Sequence, residues 1–320
     1  MRRAHNKDAG KARAWLRTGV SGLAAASVWI LRHRTSPALK AWMPPAGHRR
    51  GAGPLSVREL GSGASAAVLL HGLTGSGDWF GAGFDSLADH ARLVVPDLLG
   101  FGRSMDLDRE DFSLEAHVAA LDEMLDDLGL ADVPLTVVGH SMGAALAVHW
   151  AARRPNTARV TLLCAPLYTS REEAARHIAR MGLLDKFFVL ETPVARATCA
   201  FMCEYRGLAQ WISVAMSPQW PVALARQGVL HSWSSYLGGM NGIIQRAGWE
   251  QALEALEAKA IPVLLANGAR DPVPVKGRAE ELADRFECVD AVEHPLAGHD
   301  LPASYPAWCL PLILGATTPV

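Results

Sequence analysis

The seven residues Val137-Val138-Gly139-His140-Ser141-Met142-Gly143 combine a short apolar strand, a tight G-x-S-x-G turn and the start of a helix. This is the form of a nucleophile elbow, and it makes Ser141 the candidate nucleophile. Small residues beside the serine are a steric need. The turn holds the serine in a strained backbone conformation, and Cβ atoms at Gly139 or Gly143 would collide with neighbouring backbone. The flanks agree with this reading. Pro134 to Val138 reads as a buried strand, and Ala144 to Ala152 holds strong helix formers with no breaker before Pro155.

Acyl transfer by a serine needs a base to take its proton, an acid to hold that base in the right tautomer, and donors for the developing oxyanion. His299 sits in Ala297-Gly298-His299-Asp300-Leu301-Pro302, a loop between the last strand and a closing helix, where Gly298 lets the ring be aimed into a cleft. The nearest rival among the twelve histidines is His294, which ends the last strand and has no preceding glycine. For the acid, Leu264 to Pro272 puts Asp271 in the turn after a buried strand, whereas the strand before it ends Leu162-Leu163-Cys164-Ala165-Pro166 with no carboxylate. An Asp before Pro is ordinarily a turn cap, so Asp271 gains its meaning from Ser141 and His299. The oxyanion donors are expected to be the backbone N–H of Met142, at a helix start whose dipole favours negative charge, and that of Leu73 in the loop after the first core strand. His71 reads as a hydrogen-bonding residue beneath that hole, and this chemistry calls for no cofactor.

These residues need a sheet to hold them at its strand ends. After Pro44-Pro45 and the linker Gly51-Ala52-Gly53-Pro54, strand and helix signals alternate: strands near 55–60, 66–71, 92–96, 159–165, 261–267 and 288–293, and a helix over 114–128 ended by Gly129. That rhythm predicts an α/β fold with a mostly parallel sheet and helices on both faces. It breaks between Pro166 and Trp249, where the composition is helical and rich in Trp and Met. An inserted helical cap over residues 167–248 is expected there, with the core formed by 51–166 and 249–320 and a single closing helix from Leu301. Only one strand is legible before the strand ending at His71, which implies a shortened sheet edge.

At 320 residues and 50% hydrophobic composition, the chain can hold one large α/β domain with an insertion. The net charge of -1 hides an asymmetry, because residues 1–50 carry eleven Lys and Arg against the single acid Asp8. The remaining body is acidic and has no basic run, which argues against nucleic acid as a partner. Ala14 to Leu31 is apolar but interrupted by Arg17 and followed by Arg32-His33-Arg34, unlike a cleaved signal and short for a span. This leader fits peripheral membrane contact, a helix docked on the body or a frayed tail, so a cytoplasmic protein is expected, with membrane association through residues 1–50 left open. The five cysteines lack C-x-x-C spacing and read as buried thiols in a reducing compartment. Cys199 and Cys203, four apart on a helix, find no further ligands nearby, so no metal site is expected. Nothing in the sequence signals an oligomeric state.

Taken together, His71-Gly72, Pro96-Asp97-Leu98-Leu99-Gly100-Phe101-Gly102-Arg103-Ser104, Gly139 to Gly143, Asp271 and Gly298-His299 resemble the α/β-hydrolase superfamily over roughly residues 55–315. The resemblance implies a Ser-His-Asp hydrolase with a helical cap, and it makes Asp97 and Arg103 part of a recurrent structural loop. Members that act on alkyl halides or epoxides use an Asp nucleophile, so Ser141 argues against both. The leading expectation is a carboxylic ester hydrolase taking a small-molecule ester or acyl substrate. The alternatives are a C–C bond hydrolase, thioesterase or perhydrolase with the same triad, and a non-catalytic binding protein on the same fold. A C–C hydrolase would need a cap group on the substrate carboxylate, for which Arg196, Arg206 and Asn241 are available.

Overall fold

In a computed structural model the described residues are 39–181 and 193–315, so the leader stretch Ala14 to Leu31 lies outside them. Eight strands follow the apolar runs: β1 (His48–Ala52), β2 (Leu55–Leu60), β3 (Ala66–Leu70), β4 (Arg92–Pro96), β5 (Leu135–His140), β6 (Thr157–Leu163), β7 (Val263–Gly268) and β8 (Val289–His294). They form one sheet in the order β1-β2-β4-β3-β5-β6-β7-β8. The pairings β1/β2 and β2/β4 are antiparallel and all others are parallel. Central strands of such a sheet are covered on both faces, which is why β3 is buried at every position and its sequence does not alternate. Val68 and Val137 face one apolar cluster with Leu146 and Trp150, while Leu69 and Val138 face a second with Leu264 and Cys309.

The helices are α1 (Leu114–Leu128), α2 (Met142–Arg153), α3 (Arg171–Met181), α4 (Pro193–Glu204), α5 (Arg206–Met216), α6 (Val222–Gln227), α7 (Trp233–Gly239), α8 (Trp249–Ala258), α9 (Arg278–Arg285), α10 (Leu301–Ser304) and α11 (Pro306–Ile313). Helix α1 begins where the Ser113 side chain accepts from the Ala116 N–H at 3.2 Å and ends at Gly129 in the left-handed region. Between β6 and β7 the described residues hold helices and one isolated bridge, Phe101 to His231, but no strand of the sheet. Helix α7 runs on into a π-helical turn, Met240–Ile244.

Two expectations need correction. The sheet edge is not shortened: β1 is a further strand, and its sequence His48-Arg49-Arg50-Gly51-Ala52 is polar because an edge strand paired on one side has only Ala52 to bury. It begins before the boundary at residue 50 drawn from charge. The closing helix is broken in two at Tyr305, since Pro306 has no N–H to continue the ladder and disfavours helical backbone before it. All five cysteines are free, and Cys203 and Cys288 are only partly buried. Among the described residues, no helix is long and apolar enough to cross a membrane.

Candidate active site

The turn from β5 into α2 puts Ser141 at φ 55° and ψ -120°, a conformation that a non-glycine residue holds only when its surroundings fix it. A Cβ on Gly139 would lie 2.2 Å from the Gly143 carbonyl oxygen, and one on Gly143 would lie 2.2 Å from the Leu70 carbonyl oxygen. Both distances are far inside van der Waals contact, so the steric reason for the flanking glycines holds in detail. The Ser141 N–H donates to Leu163 O at 3.0 Å, tying the turn to the end of β6.

Ser141, Asp271 and His299, 158 residues apart at the extremes, converge. His299 Nε2 lies 2.9 Å from Ser141 Oγ, and His299 Nδ1 lies 2.9 Å and 3.1 Å from the two carboxylate oxygens of Asp271. Asp271 is fully enclosed, while His299 is one-third exposed. Burial alone would raise the Asp271 carboxyl. The hydrogen bond and charge of His299, the Val273 N–H at 2.8 Å and the Cys164 thiol outweigh it and hold the group below its ordinary value. Asp271 is therefore an anion that accepts from Nδ1–H, and that tautomer leaves Nε2 with a lone pair toward the Ser141 hydroxyl.

The backbone N–H groups of Leu73 and Met142 have no acceptor among the described residues. Gly72 lies close beneath them, since a Cβ there would be 3.1 Å from Ser141 Cβ and 3.2 Å from His140 Nδ1. Below, buried His71 accepts from the Leu98 N–H through Nε2 at 2.8 Å and donates from Nδ1 to Gly72 O at 2.8 Å; burial lowers its pKa. Enclosed Asp97 accepts from the N–H groups of Gly77 (2.7 Å) and Arg103 (2.8 Å), as the structural loop requires. His294 is engaged elsewhere: its Nδ1 accepts from the N–H groups of Leu296 and Ala297, and its ring packs on Tyr305 at 4.0 Å.

Two neighbours of the site had no role in the sequence reading. His140 Nε2–H donates to the His299 carbonyl at 2.8 Å, its ring stacks on Trp79 (5.2 Å, 17°), and Trp79 meets Trp220 from the inserted segment at 4.7 Å. Burial and then the charge of His299 push the His140 pKa down to about 3, so its ring is neutral and its tautomer fixed. Cys164, at φ 55° one residue past β6, has its thiol within 4.0 Å of Gly298 O. No sequence signal reveals either, because both depend on which loops meet across the sheet. One ligand atom each from His140, Cys164 and His299 lies within 4.8 Å of the others. The His140 Nε2 and both His299 nitrogens are already bound within the protein.

A sheet that gathers a strained serine, a histidine and a buried aspartate at its strand ends defines an α/β hydrolase. The chain belongs to the alpha/beta hydrolase fold family, whose model matches residues 67–303. Among curated proteins it is 39% identical over 154 residues to Lipase LipV of Mycobacterium tuberculosis, covering 46% of this chain and 56% of the lipase. It is 38% identical over 101 residues to a haloalkane dehalogenase of Mesorhizobium japonicum, covering 32% of each chain. The alignments thus span about half or less of these relatives. Among solved structures, the thioesterase domain from the curacin biosynthetic pathway superimposes with a TM-score of 0.58 at 24% identity, over 84% of this chain and 99% of that one. A bromoperoxidase from Bacillus anthracis superimposes with 0.63 at 18% identity, over 84% and 100%. Identities this low speak to the shared fold alone.

Proposed function

We propose that this protein is a serine hydrolase that cleaves carboxylic esters through an acyl-enzyme intermediate. The observation that carries the reading is the continuous relay Asp271 carboxylate, His299 Nδ1 and Nε2, Ser141 Oγ, with every link near 3 Å. Ser141 Oγ attacks the ester carbonyl while His299 Nε2 takes its proton, and Asp271 holds the imidazole and stabilises its charged form. The N–H groups of Leu73 and Met142 hold the oxyanion. The tetrahedral intermediate collapses, the C–O bond breaks, and His299 returns the proton to the leaving alcohol. Water then repeats the attack, with His299 again as base, and frees the acid.

Residues 167–248 act as a cap over this site, with 51–166 and 249–320 as the core. Three contacts support the cap assignment: Trp220 on Trp79, the Gln227 side chain bonded to Ser76 and Asp78, and His177 Nε2 on Pro272 O beside the acid at 2.8 Å. The lipases among the relatives favour an ester. The dehalogenases do not carry over, because the elbow residue here is Ser141. Hydrolysis of p-nitrophenyl esters from acetate to palmitate by wild type and Ser141→Ala tests the reading. We expect an initial burst in the wild type and a loss of kcat on the order of 10⁴-fold or more in the variant. A folded wild type that turns over no ester would overturn it in favour of C–C cleavage or ligand binding.

A further inference from the structure

The turn that carries Asp271 is held in two different ways. Its first half is tied to the core by backbone: the N–H groups of Ala269, Arg270 and Asp271 donate to the carbonyls of His294, Ala297 and Gly268 at 2.9, 3.0 and 2.9 Å. Its second half has no such ladder. Pro272 has no N–H, and the Val273 N–H goes to Asp271 Oδ1 at 2.8 Å. The two carbonyls there are held by side chains from the segment that follows β6. His177 Nε2–H donates to Pro272 O at 2.8 Å and the Tyr168 hydroxyl to Val273 O at 3.0 Å. Among the described residues, neither oxygen has another donor.

Both donors are themselves anchored. Tyr168 is buried in the larger apolar cluster, and its own carbonyl accepts from Trp249 Nε1 of α8 at 2.7 Å. Burial raises the pKa of its hydroxyl, which therefore keeps its proton and stays a donor. Its ring packs on His177, with centroids 5.4 Å apart. His177 lies on α3, whose Ala174 and Ile178 are buried in the same cluster. One turn earlier on that helix, Glu173 accepts from Arg278 Nη2, at the start of α9, at 2.8 Å. Helix α3 is thus fastened to the core on the side of the acid turn, at Pro272 and again at Arg278. Tyr168 Oη, Val273 and Asp271 Oδ1 form one line of contacts that ends on His299 Nδ1, 3.1 Å from that oxygen. A carboxylate that loses the Val273 N–H is free to turn about its Cβ–Cγ bond, and the imidazole then loses the acceptor that fixes its tautomer.

We propose that Tyr168 and His177 are positioning residues of the reaction: by holding Val273 O and Pro272 O they keep the Asp271 carboxylate aimed at His299. This inference rests on the Ser141, His299 and Asp271 relay proposed above, but not on which acyl bond the relay cleaves. Neither side chain is hydrogen-bonded to Ser141 or His299, so both act through the acid. Loss of either therefore slows the chemical step and leaves the binding of substrate as it was.

The test is the rate at which a fluorophosphonate labels Ser141 in the full chain, folding being checked by circular dichroism. Labelling joins Ser141 Oγ to phosphorus, breaks the P–F bond, releases fluoride and passes the hydroxyl proton to His299, so it reads the relay whatever the natural substrate. Tyr168→Phe should be labelled about fivefold more slowly, half-exposed His177→Phe about threefold, and the double variant about tenfold or more, with the half-saturating probe concentration unchanged. His177→Gln, which keeps an N–H donor, should recover most of its loss. Repeated in Asp271→Asn, the same substitutions should change the rate by less than about twofold, because the acid through which they act is gone. Equal losses in the two backgrounds would make both residues merely structural and overturn the proposal, as would a wild-type rate in the double variant. A folded wild type whose Ser141 is not labelled would remove the relay and the proposal with it. The ester reading fails separately: a wild type that is labelled but turns over no ester loses that reading, while the labelling rates still decide this one.

Discussion

The loops at the carboxyl ends of β3, β5, β7 and β8 and the helices between β6 and β7 are built on opposite principles. In the loops, backbone meets backbone so closely that composition is forced: Gly139 and Gly143 leave no room for a methyl group, and Ser141 keeps a strained φ of 55°. Helix α5, in contrast, packs through Ala209 and Val214 and turns its large side chains to solvent. Strain persists only where surroundings over-determine it, and a reacting group gains precision from that. A segment held by small residues and a few polar ties can change its sequence without disturbing the chemistry. The two regions therefore differ in how far their sequences are constrained by packing.

The sharpest way to break this comparison is Gly143→Ala. The new methyl would sit 2.2 Å from Leu70 O and 2.6 Å from His71 O, the end of the strand that leads into the Leu73 loop. Neither oxygen is on a flexible side chain, so the elbow and the Leu73 loop must separate. We expect a loss of about 3 kcal/mol or more, by analogy with severe overpacking, and ester turnover reduced to the level of Ser141→Ala. Chemical denaturation with a parallel activity assay measures both. Wild-type stability and turnover in this variant would mean the loops are no tighter than the helices.

The same contrast explains what could be read in advance. Ser141, Asp271 and His299 were legible because each follows a strand at a turn whose residues have local steric or loop-geometry reasons, and the structure brings the three within hydrogen-bonding distance. The parallel sheet was legible because β3 to β7 are apolar runs. Strand β1 was not, since an edge strand paired with β2 alone needs no apolar pattern. The break at Tyr305 sits in a run of apolar residues where only Pro306 signals the interruption. His140 and Cys164 escaped notice because their partners, the carbonyls of His299 and Gly298, lie on a loop more than 130 residues away in sequence.

His140 offers a smaller perturbation within the rigid region. His140→Phe keeps a ring against Trp79 but removes the Nε2–H donor and leaves the His299 carbonyl unpaired. A neutral hydrogen bond of this kind contributes about 1 kcal/mol, so kcat should fall about fivefold with KM little changed. A residue that only filled space would leave kcat alone. A donor-retaining His140→Gln that recovers part of the loss would assign the effect to the hydrogen bond, whereas equal kcat in all three proteins would show that the His299 backbone holds its place without it.

The gentlest probe addresses the helical side. Gly207 is the second residue of α5, exposed, and a Cβ there meets nothing within 4 Å. Alanine is the better helix former by up to about 1 kcal/mol, and at a position in the first turn roughly half of that is expected. Gly207→Ala should therefore stabilise the protein slightly where Gly143→Ala is ruinous, although both add the same methyl group. Calorimetry then asks how independent the two regions are. If the helices unfold with the sheet, a single transition moves up by about 1 °C, because the increment is spread over the enthalpy of the whole chain. If α5 belongs to a unit that melts before the sheet, only an earlier, smaller transition moves, and by several degrees, since the same free energy acts on fewer residues. The second outcome would mean that the inserted helices open while the Ser141, His299 and Asp271 relay stays assembled, a physical route for substrate to reach a rigid site.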